Sequence, residues 1–206
     1  MTSPDTPAWP PALPAVLEID TPRLRLRRWT DADRAPFAAL NADPAVMRFF
    51  PALIPREASD RSIDAWLADF DARGWSNWAV ETRESHAEGR FIGFVGLSVP
   101  RRTLPCSPCV EIGWRLARAA HGQGYATEAA RAALRAGFVD IGLDEIVSMT
   151  AVLNTPSEAV MKRLGMVDSG ENFDHPGVPE GSPLRPHVLY RLTRAQWLAG
   201  QQATRA

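Results

Sequence analysis

The stretch HGQGYATEA, His121 to Ala129, sets two glycines and a run of small side chains between a segment that reads as a strand and one that reads as a long helix. At a helix start several backbone N–H groups lack an intrahelical partner and the dipole is positive. An anion is attracted there, and glycines let its oxygens approach without a Cβ in the way. The strand before it is CVEIGWRL (Cys109 to Leu116). After it, from Gly124 to Phe138, the residues Ala126, Ala130, Ala133, Leu134 and Phe138 recur on one face, giving a helix slim enough to lie close on a sheet. The bare backbone at this junction fits a phosphate seat, and it equally fits a plain strand-to-helix turn. Two phosphate fingerprints are absent: there is no G-x-x-x-x-G-K-[ST], and the third position of a G-x-G-x-x-G is Thr127.

Working outward, EIVSMTAVL (Glu145 to Leu153) is a strongly apolar strand. In NTPSEAVMKRLG, Thr155 is expected as helix cap, Pro156 at the first helical position, Glu158 as the capping-box partner and Gly165 as the stop. HVLYRL (His187 to Leu192) is a closing strand, followed by a helical turn around Trp197. Upstream, NWAVET (Asn77 to Thr82) and RFIGFVGLSV (Arg90 to Val99), joined by the polar RESHAEG, predict an antiparallel hairpin. Ser59 to Ala72 carries Ile63, Trp66, Leu67 and Phe70 at helical spacing and stops at Gly74. TDAD (Thr30 to Asp33) offers a cap for a helix through Leu40, DPAVMRFF a short helical piece, and RLRLR (Arg23 to Arg27) the alternation of a half-exposed strand. Residues 1–15 are Pro-rich and expected as a mobile tail, leaving 16–206 as one domain. A meander followed by strand–helix–strand–helix–strand predicts a mixed α/β (α+β) fold with a parallel strand pair where the crossover helix returns.

Composition narrows the class. A chain of 206 residues, 45% hydrophobic and 23% charged, is long enough for a real core. Lys+Arg 23 against Asp+Glu 24, with no long run of one sign, argues against a nucleic-acid partner. The N-terminus has no basic segment leading into an apolar one, and no apolar run approaches the roughly 20 residues of a membrane span, so a cytoplasmic protein without a membrane partner is expected. Cys106 and Cys109 form a lone C-x-x-C with Pro108 inside it, and the histidines at 86, 121, 175 and 187 are scattered. A loop leading into a strand is the expected reading, with no metal and no redox role.

His121-Gly122-Gln123-Gly124-Tyr125-Ala126 resembles motif A of the GNAT superfamily (Gcn5-related N-acetyltransferases), Gln/Arg-x-x-Gly-x-Gly/Ala, with His in place of the first Gln or Arg. GQGYATEA is similar to the RimJ/RimL-like branch, and the likeness runs from TPRLRLR through VEIGWRL and NTPSEAVMKRLG to HVLYRL. The resemblance implies the GNAT fold: a central, mostly antiparallel twisted sheet with a parallel splayed strand pair, flanked by helices. It also implies acetyl-CoA as donor, its pantetheine arm lying between strands that end near Leu116 and Leu153. Leu116 would make main-chain contacts to the arm. His121, Gly122, Gln123, Gly124, Tyr125, Ala126 and Thr127 would hold the pyrophosphate. Asn154 matches the family Asn that bonds the pantetheine amide, and it is as readily a cap of the next helix.

Amine attack on a thioester needs a base, because a primary ammonium has a pKa near 10. By resemblance Glu111, on the strand before motif A, is that base; a strand Glu paired with one of the arginines is the alternative. Met161 stands where many members carry a Tyr; the resemblance to the RimL-like pattern implies that Ser157, three residues past Asn154, is the donor to the departing thiolate, the alternative being a local hydrogen bond only. Phe49, Phe50, Trp75, Trp78 and His175 are candidates for the acceptor wall, or simply core. Residues 174–187 form a turn-rich segment that could face substrate or a second copy in a homodimer. The expected activity is direct transfer to a primary amine, whether a peptide N-terminus or a small molecule such as a polyamine, amino acid or aminoglycoside. A non-catalytic acyl-CoA-binding sensor or structural protein is the other class.

Overall fold

Leu24 and Leu26 are fully buried while Arg25 between them is exposed, the period-two signature of a strand with one covered face. In the computed structural model, which describes residues 9–83 and 90–203, this strand is β2 (Leu24–Arg27), preceded by β1 (Ile19–Asp20). Three helices follow: α1 (Arg34–Asn41), α2 (Pro44–Met47) and α3 (Arg56–Arg73). The hairpin β3 (Asn77–Thr82) and β4 (Phe91–Ser98) leads to β5 (Glu111–Leu116). Helix α4 (Tyr125–Arg135) runs on through a π-helical turn at Ala136–Ile141 into β6 (Glu145–Ala151). The chain ends with α5 (Thr155–Arg163), β7 (Val167–Asp168), β8 (Phe173–Asp174), β9 (Pro186–Thr193) and α6 (Arg194–Ala203).

Among the described residues the strands form one nine-stranded sheet in the order β1-β2-β3-β4-β5-β6-β9-β7, with β8 also on β9. Every recorded pairing is antiparallel except β5 with β6, which meet at the single register pair Glu111 and Val147. The Val147 amide donates to the Val110 carbonyl (2.9 Å), and the Ser148 hydroxyl to the Ile112 carbonyl (3.0 Å). Past that point the two strands carry no ladder, so their facing backbone groups open onto a cleft. This is the mixed α/β sheet with one splayed parallel pair that the element order and the resemblance imply.

The core places aromatic rings where each polar tip finds a partner, as burial of an indole requires. Trp29, Trp75 and Trp78 donate to the carbonyls of Asn77 (2.7 Å), Pro11 (2.8 Å) and Leu17 (2.6 Å). These bonds and those from the Leu13 and Leu17 amides to the Arg73 and Gly74 carbonyls (2.9 and 2.8 Å) fasten residues 11–17 along the end of α3. Of the expected tail, residues 1–8 lie outside the described residues. Gly74 stops α3 at φ +80°, and a Cβ there would stand 2.5 Å from the Ala15 carbonyl oxygen, so both backbone angle and packing require glycine. Residues 84–89 of RESHAEG likewise lie outside the described residues.

Two local expectations are corrected. The cap of α5 is Asn154, whose Oδ1 accepts from the Ser157 amide at 3.3 Å. That shifts Glu158 one position beyond the one a capping box uses, and its carboxylate instead takes Lys162 and the Tyr190 hydroxyl (3.0 Å). The last helical turn is a helix of 10 residues.

Candidate functional site

A cleft of about 1450 Å³ passes between β5 and β6. At one end stands the start of α4. Gly122 and Gly124 hold φ of +74° and +80°, left-handed values that side chains other than glycine rarely take. A Cβ at Gly122 would meet nothing within 4 Å, and one at Gly124 only the Arg23 Nη2 at 3.5 Å. The backbone angle demands these glycines, and the space before them is free. The first intrahelical bond runs from the Glu128 amide to the Gly124 carbonyl (3.0 Å), which leaves the amides of 125–127 without an acceptor in the helix. The Gly122 amide has no partner among the described residues either. A bare, positively polarised seat of this kind fits a diphosphate.

The seat is fastened by neighbouring side chains that also line the cleft. Glu128 accepts from the Thr21 hydroxyl (2.7 Å), the Arg23 amide (3.0 Å) and Arg23 Nε (2.7 Å), while Arg23 Nη1 reaches the Gln123 carbonyl (3.0 Å) and the guanidinium lies 4.6 Å from the Tyr125 ring centre. Tyr125, Ala126 and Thr127 line the cleft. Gln123 does not: its side chain donates to the Ala119 carbonyl (2.6 Å). His121 lines the rim, with Nε2 2.9 Å from the carbonyl of Leu116, itself a lining residue. Both side-chain ends of Asn154 are engaged within the chain, Oδ1 on the Ser157 amide and Nδ2 on the Thr150 hydroxyl (2.9 Å). It lines the cleft while serving as cap. Ser157 also lines the cleft, and its hydroxyl has no hydrogen-bond partner among the described residues.

Glu111 sits where β5 and β6 part, opposite Ser98 on β4. Its carboxylate makes no ion pair or hydrogen bond among the described residues, so the arginine pairing weighed from the sequence does not occur. Burial without a compensating partner pushes its pKa up to about 7. Phe49, Phe50 and His175 line the same cleft. His175 packs against His187, ring centres 4.8 Å apart, and burial holds both below the usual imidazole value. Trp75 and Trp78 are a correction: both are 0% exposed, with their indole N–H groups committed to Pro11 and Leu17, and neither reaches the cleft.

Arg115 was not singled out by the sequence. It lines the cleft two positions beyond Gly113 and four beyond Glu111 on β5, so alternation puts all three on one face. Its Nη1 donates to Asn41 Oδ1 (2.6 Å), and its guanidinium lies 4.2 Å from the Phe50 ring centre and 5.6 Å from that of Phe94. Burial pushes its pKa down to about 10. The same-face parity with Glu111 was the one local signal; its partners come from distant segments. Cys106 and Cys109 bring their sulfurs to 3.2 Å in the turn before β5, away from the cleft lining. Among the described residues no group of three or more His, Cys, Asp and Glu could hold a metal ion, and no helix is long and apolar enough to cross a membrane.

A family model described as "Acetyltransferase (GNAT) domain" matches residues 23–167. The chain is 31% identical over 196 residues to the FsC-acetyl coenzyme A-N(2)-transacetylase of Aspergillus fumigatus, covering 89% of this chain and 79% of that one. Among solved structures, a GNAT-family acetyltransferase from Bacillus anthracis superposes with a TM-score of 0.70 at 24% identity, over 87% of this chain and 99% of the other. The spermidine N-acetyltransferase of Vibrio cholerae, solved in complex with CoA and spermine, gives 0.67 at 19% identity, over 86% and 99%.

Proposed function

The chain belongs to the GNAT acetyltransferase family, and from that premise we propose that it moves acetyl from acetyl-CoA directly to a primary amine, with Glu111 as general base and Ser157 as hydrogen-bond donor to the departing sulfur. The observation that carries this reading is the unpaired Glu111 carboxylate, raised to about 7 by burial at the point where the splayed strands part. An amine with a pKa near 10 arrives as ammonium; a base that is half ionised near neutral pH takes its proton, and the freed nitrogen attacks the thioester carbon. As the tetrahedral adduct collapses the C–S bond breaks and the nitrogen gives up its second proton, which neutralises the departing thiolate; the Ser157 hydroxyl, without a partner among the described residues, would donate a hydrogen bond to the sulfur. Met161, fully buried in α5, supplies no such donor.

The donor end is read the same way. The free amides at the start of α4 suit the diphosphate, and the unladdered edges of β5 and β6 suit an extended amide-bearing arm between them. Transfer without an enzyme-bound acetyl is supported by the cysteines: neither lines the cleft, and burial raises the Cys109 thiol far from ionisation. The test follows CoA release against a panel of amines and peptides, comparing wild type with Glu111→Gln and Ser157→Ala. Turnover that collapses in Glu111→Gln is expected. Tight acetyl-CoA binding with no turnover on any acceptor would overturn the reading in favour of a non-catalytic acyl-CoA-binding protein.

A further inference from the structure

Two other half-buried arginines of this fold are neutralised by carboxylates. Arg27 is held by Asp33 (2.7 Å) and Glu81 (2.7 Å), and Arg73 by Asp69 (2.7 Å). Arg115 differs in that no carboxylate lies within ion-pair distance among the described residues; its Nε, like that of Arg73, is shut off from solvent with no hydrogen-bond partner. A guanidinium buried without a counter-ion is costly, and its rings of Phe50 and Phe94 offset only part of that cost. The one group in contact that could have carried a negative charge is neutral. Asn41 is 1% exposed, its Nδ2 donates to the Ser59 hydroxyl (2.8 Å), and that bond turns Oδ1 toward Arg115. The arrangement orients the arginine while leaving its charge unspent.

The floor beside it is open. Gly113, between Glu111 and Arg115 on the same face of β5, would have nothing within 4 Å of an added Cβ. Four residues of strand separate the two Cα atoms by about 13 Å, and both side chains line the same cleft on either side of the bare glycine. We propose that Arg115 is a specificity-determining residue, and that the acceptor is a small primary amine carrying a carboxylate, which takes the guanidinium fork while the amine lies toward Glu111. Planar two-point pairing is what a guanidinium offers a carboxylate, and the apolar walls strengthen it by excluding water. The same charge disfavours an acceptor that is cationic throughout, such as spermidine. This proposal rests on the transferase reading for the role of Glu111, but the carboxylate site itself can be tested without turnover.

The experiment measures calorimetric binding of acetylated products to the CoA-saturated protein: the N-acetyl derivatives of glycine, 4-aminobutyrate and 6-aminohexanoate, each beside its primary amide. For at least one length the acid is expected to bind on the order of tenfold tighter than the amide. In Arg115→Met, and in Asn41→Asp, which supplies an internal counter-ion, that ratio is expected to fall to about twofold or less. Equal binding of acid and amide at every length in the wild type would overturn the proposal, as would a preference that survives both substitutions. Initial rates on the free amines, with spermidine included, separate the two readings. Turnover without any carboxylate preference sinks this inference and leaves the transferase, whereas a carboxylate preference in binding with no turnover on any amine sinks the transferase and leaves the site.

Discussion

The two ends of the cleft are made in different ways. At the α4 end the chain presents main-chain amides: two glycines in left-handed conformation and a helix start, with the Arg23–Glu128 pair bracing the loop at the edge of the cleft. At the other end the chemistry belongs to side chains, Glu111 and Arg115 on β5, with Asn41, Phe50, Phe94 and His175 brought in from four other segments. An end built of backbone serves a ligand that does not change, and it tolerates side-chain variation. An end built of side chains can be re-specified one residue at a time.

The largest expected break in that contrast is Glu111→Gln. Rate on any accepted amine should fall by about 10²–10⁴-fold, the usual share of a positioned base, while acetyl-CoA affinity by calorimetry stays within about twofold. Wild-type kcat/KM should rise through a limb near pH 7 that the variant lacks. Stability gives an independent reading. The folded-state value is raised from 4.5 to about 7, so the native state holds the extra proton between those limits. Its favourable contribution is complete below 4.5, is lost as pH climbs to 7, and stays lost above it. The Gln variant should therefore match the wild type in urea near pH 4.5 and exceed it by up to about 3 kcal/mol above pH 7. Equal stability at both pH values would mean that the carboxylate is solvated and of ordinary basicity.

Next in size is Gly124→Val. The backbone must keep φ near +80° with a branched side chain, at a cost of about 1–2 kcal/mol, yet the space around the new Cβ is open apart from Arg23. The fold should survive, and acetyl-CoA affinity should drop by at least about tenfold, because the side chain enters the space proposed to hold the diphosphate. Its counterpart at the other end is Gly113→Val, which fits the sheet without strain: acceptor KM should rise severalfold while coenzyme affinity holds. Were Gly113→Val to weaken coenzyme binding as strongly as Gly124→Val, the two ends would be one site and the contrast would fail.

What was legible in the sequence follows the same divide. The HGQGYATEA junction was readable because backbone requirements leave a mark in residue type: glycine for positive φ, small residues for a close helix. The parallel pair was readable from element order, whereas Glu111 was singled out only through the family resemblance. Arg115 was not, because nothing in VEIGWRL says that its cation lacks a partner; that depends on Asn41, Phe50 and Phe94, up to 74 positions away. Trp75 and Trp78 were misplaced for the converse reason. Aromatic residues near a site look alike in one dimension whether they line it or lie beneath it, and here hydrogen bonds to Pro11 and Leu17 draw both into the core. The two-residue strands β1, β7 and β8 carry too short a pattern to be seen.

Ser157→Ala tests a smaller effect. Losing one donor to a sulfur that can also be protonated by water should lower kcat by about tenfold and leave KM nearly unchanged, read by initial rates at saturating acetyl-CoA. The Asn154 cap is retained, since it bonds the Ser157 amide rather than the hydroxyl, so melting temperature should not move. A loss carried in KM instead would place Ser157 in ground-state binding.

The smallest effect is expected at His121, where the chain departs from the Gln or Arg of the motif. Its ring is turned away from the seat and onto the Leu116 carbonyl at 2.9 Å, so it secures the end of β5 rather than the phosphates. His121→Gln can donate to the same carbonyl and should change acetyl-CoA affinity by less than about threefold. His121→Ala leaves that carbonyl short of a partner and should cost about 1 kcal/mol in stability, again with little loss of affinity. Because the seat is formed by amides, both substitutions should leave coenzyme affinity close to that of the wild type, as read by calorimetry. If affinity instead falls about tenfold or more in His121→Ala, the first position of the motif contributes a side chain to the diphosphate after all, and the backbone end of the cleft is less purely backbone than its geometry indicates.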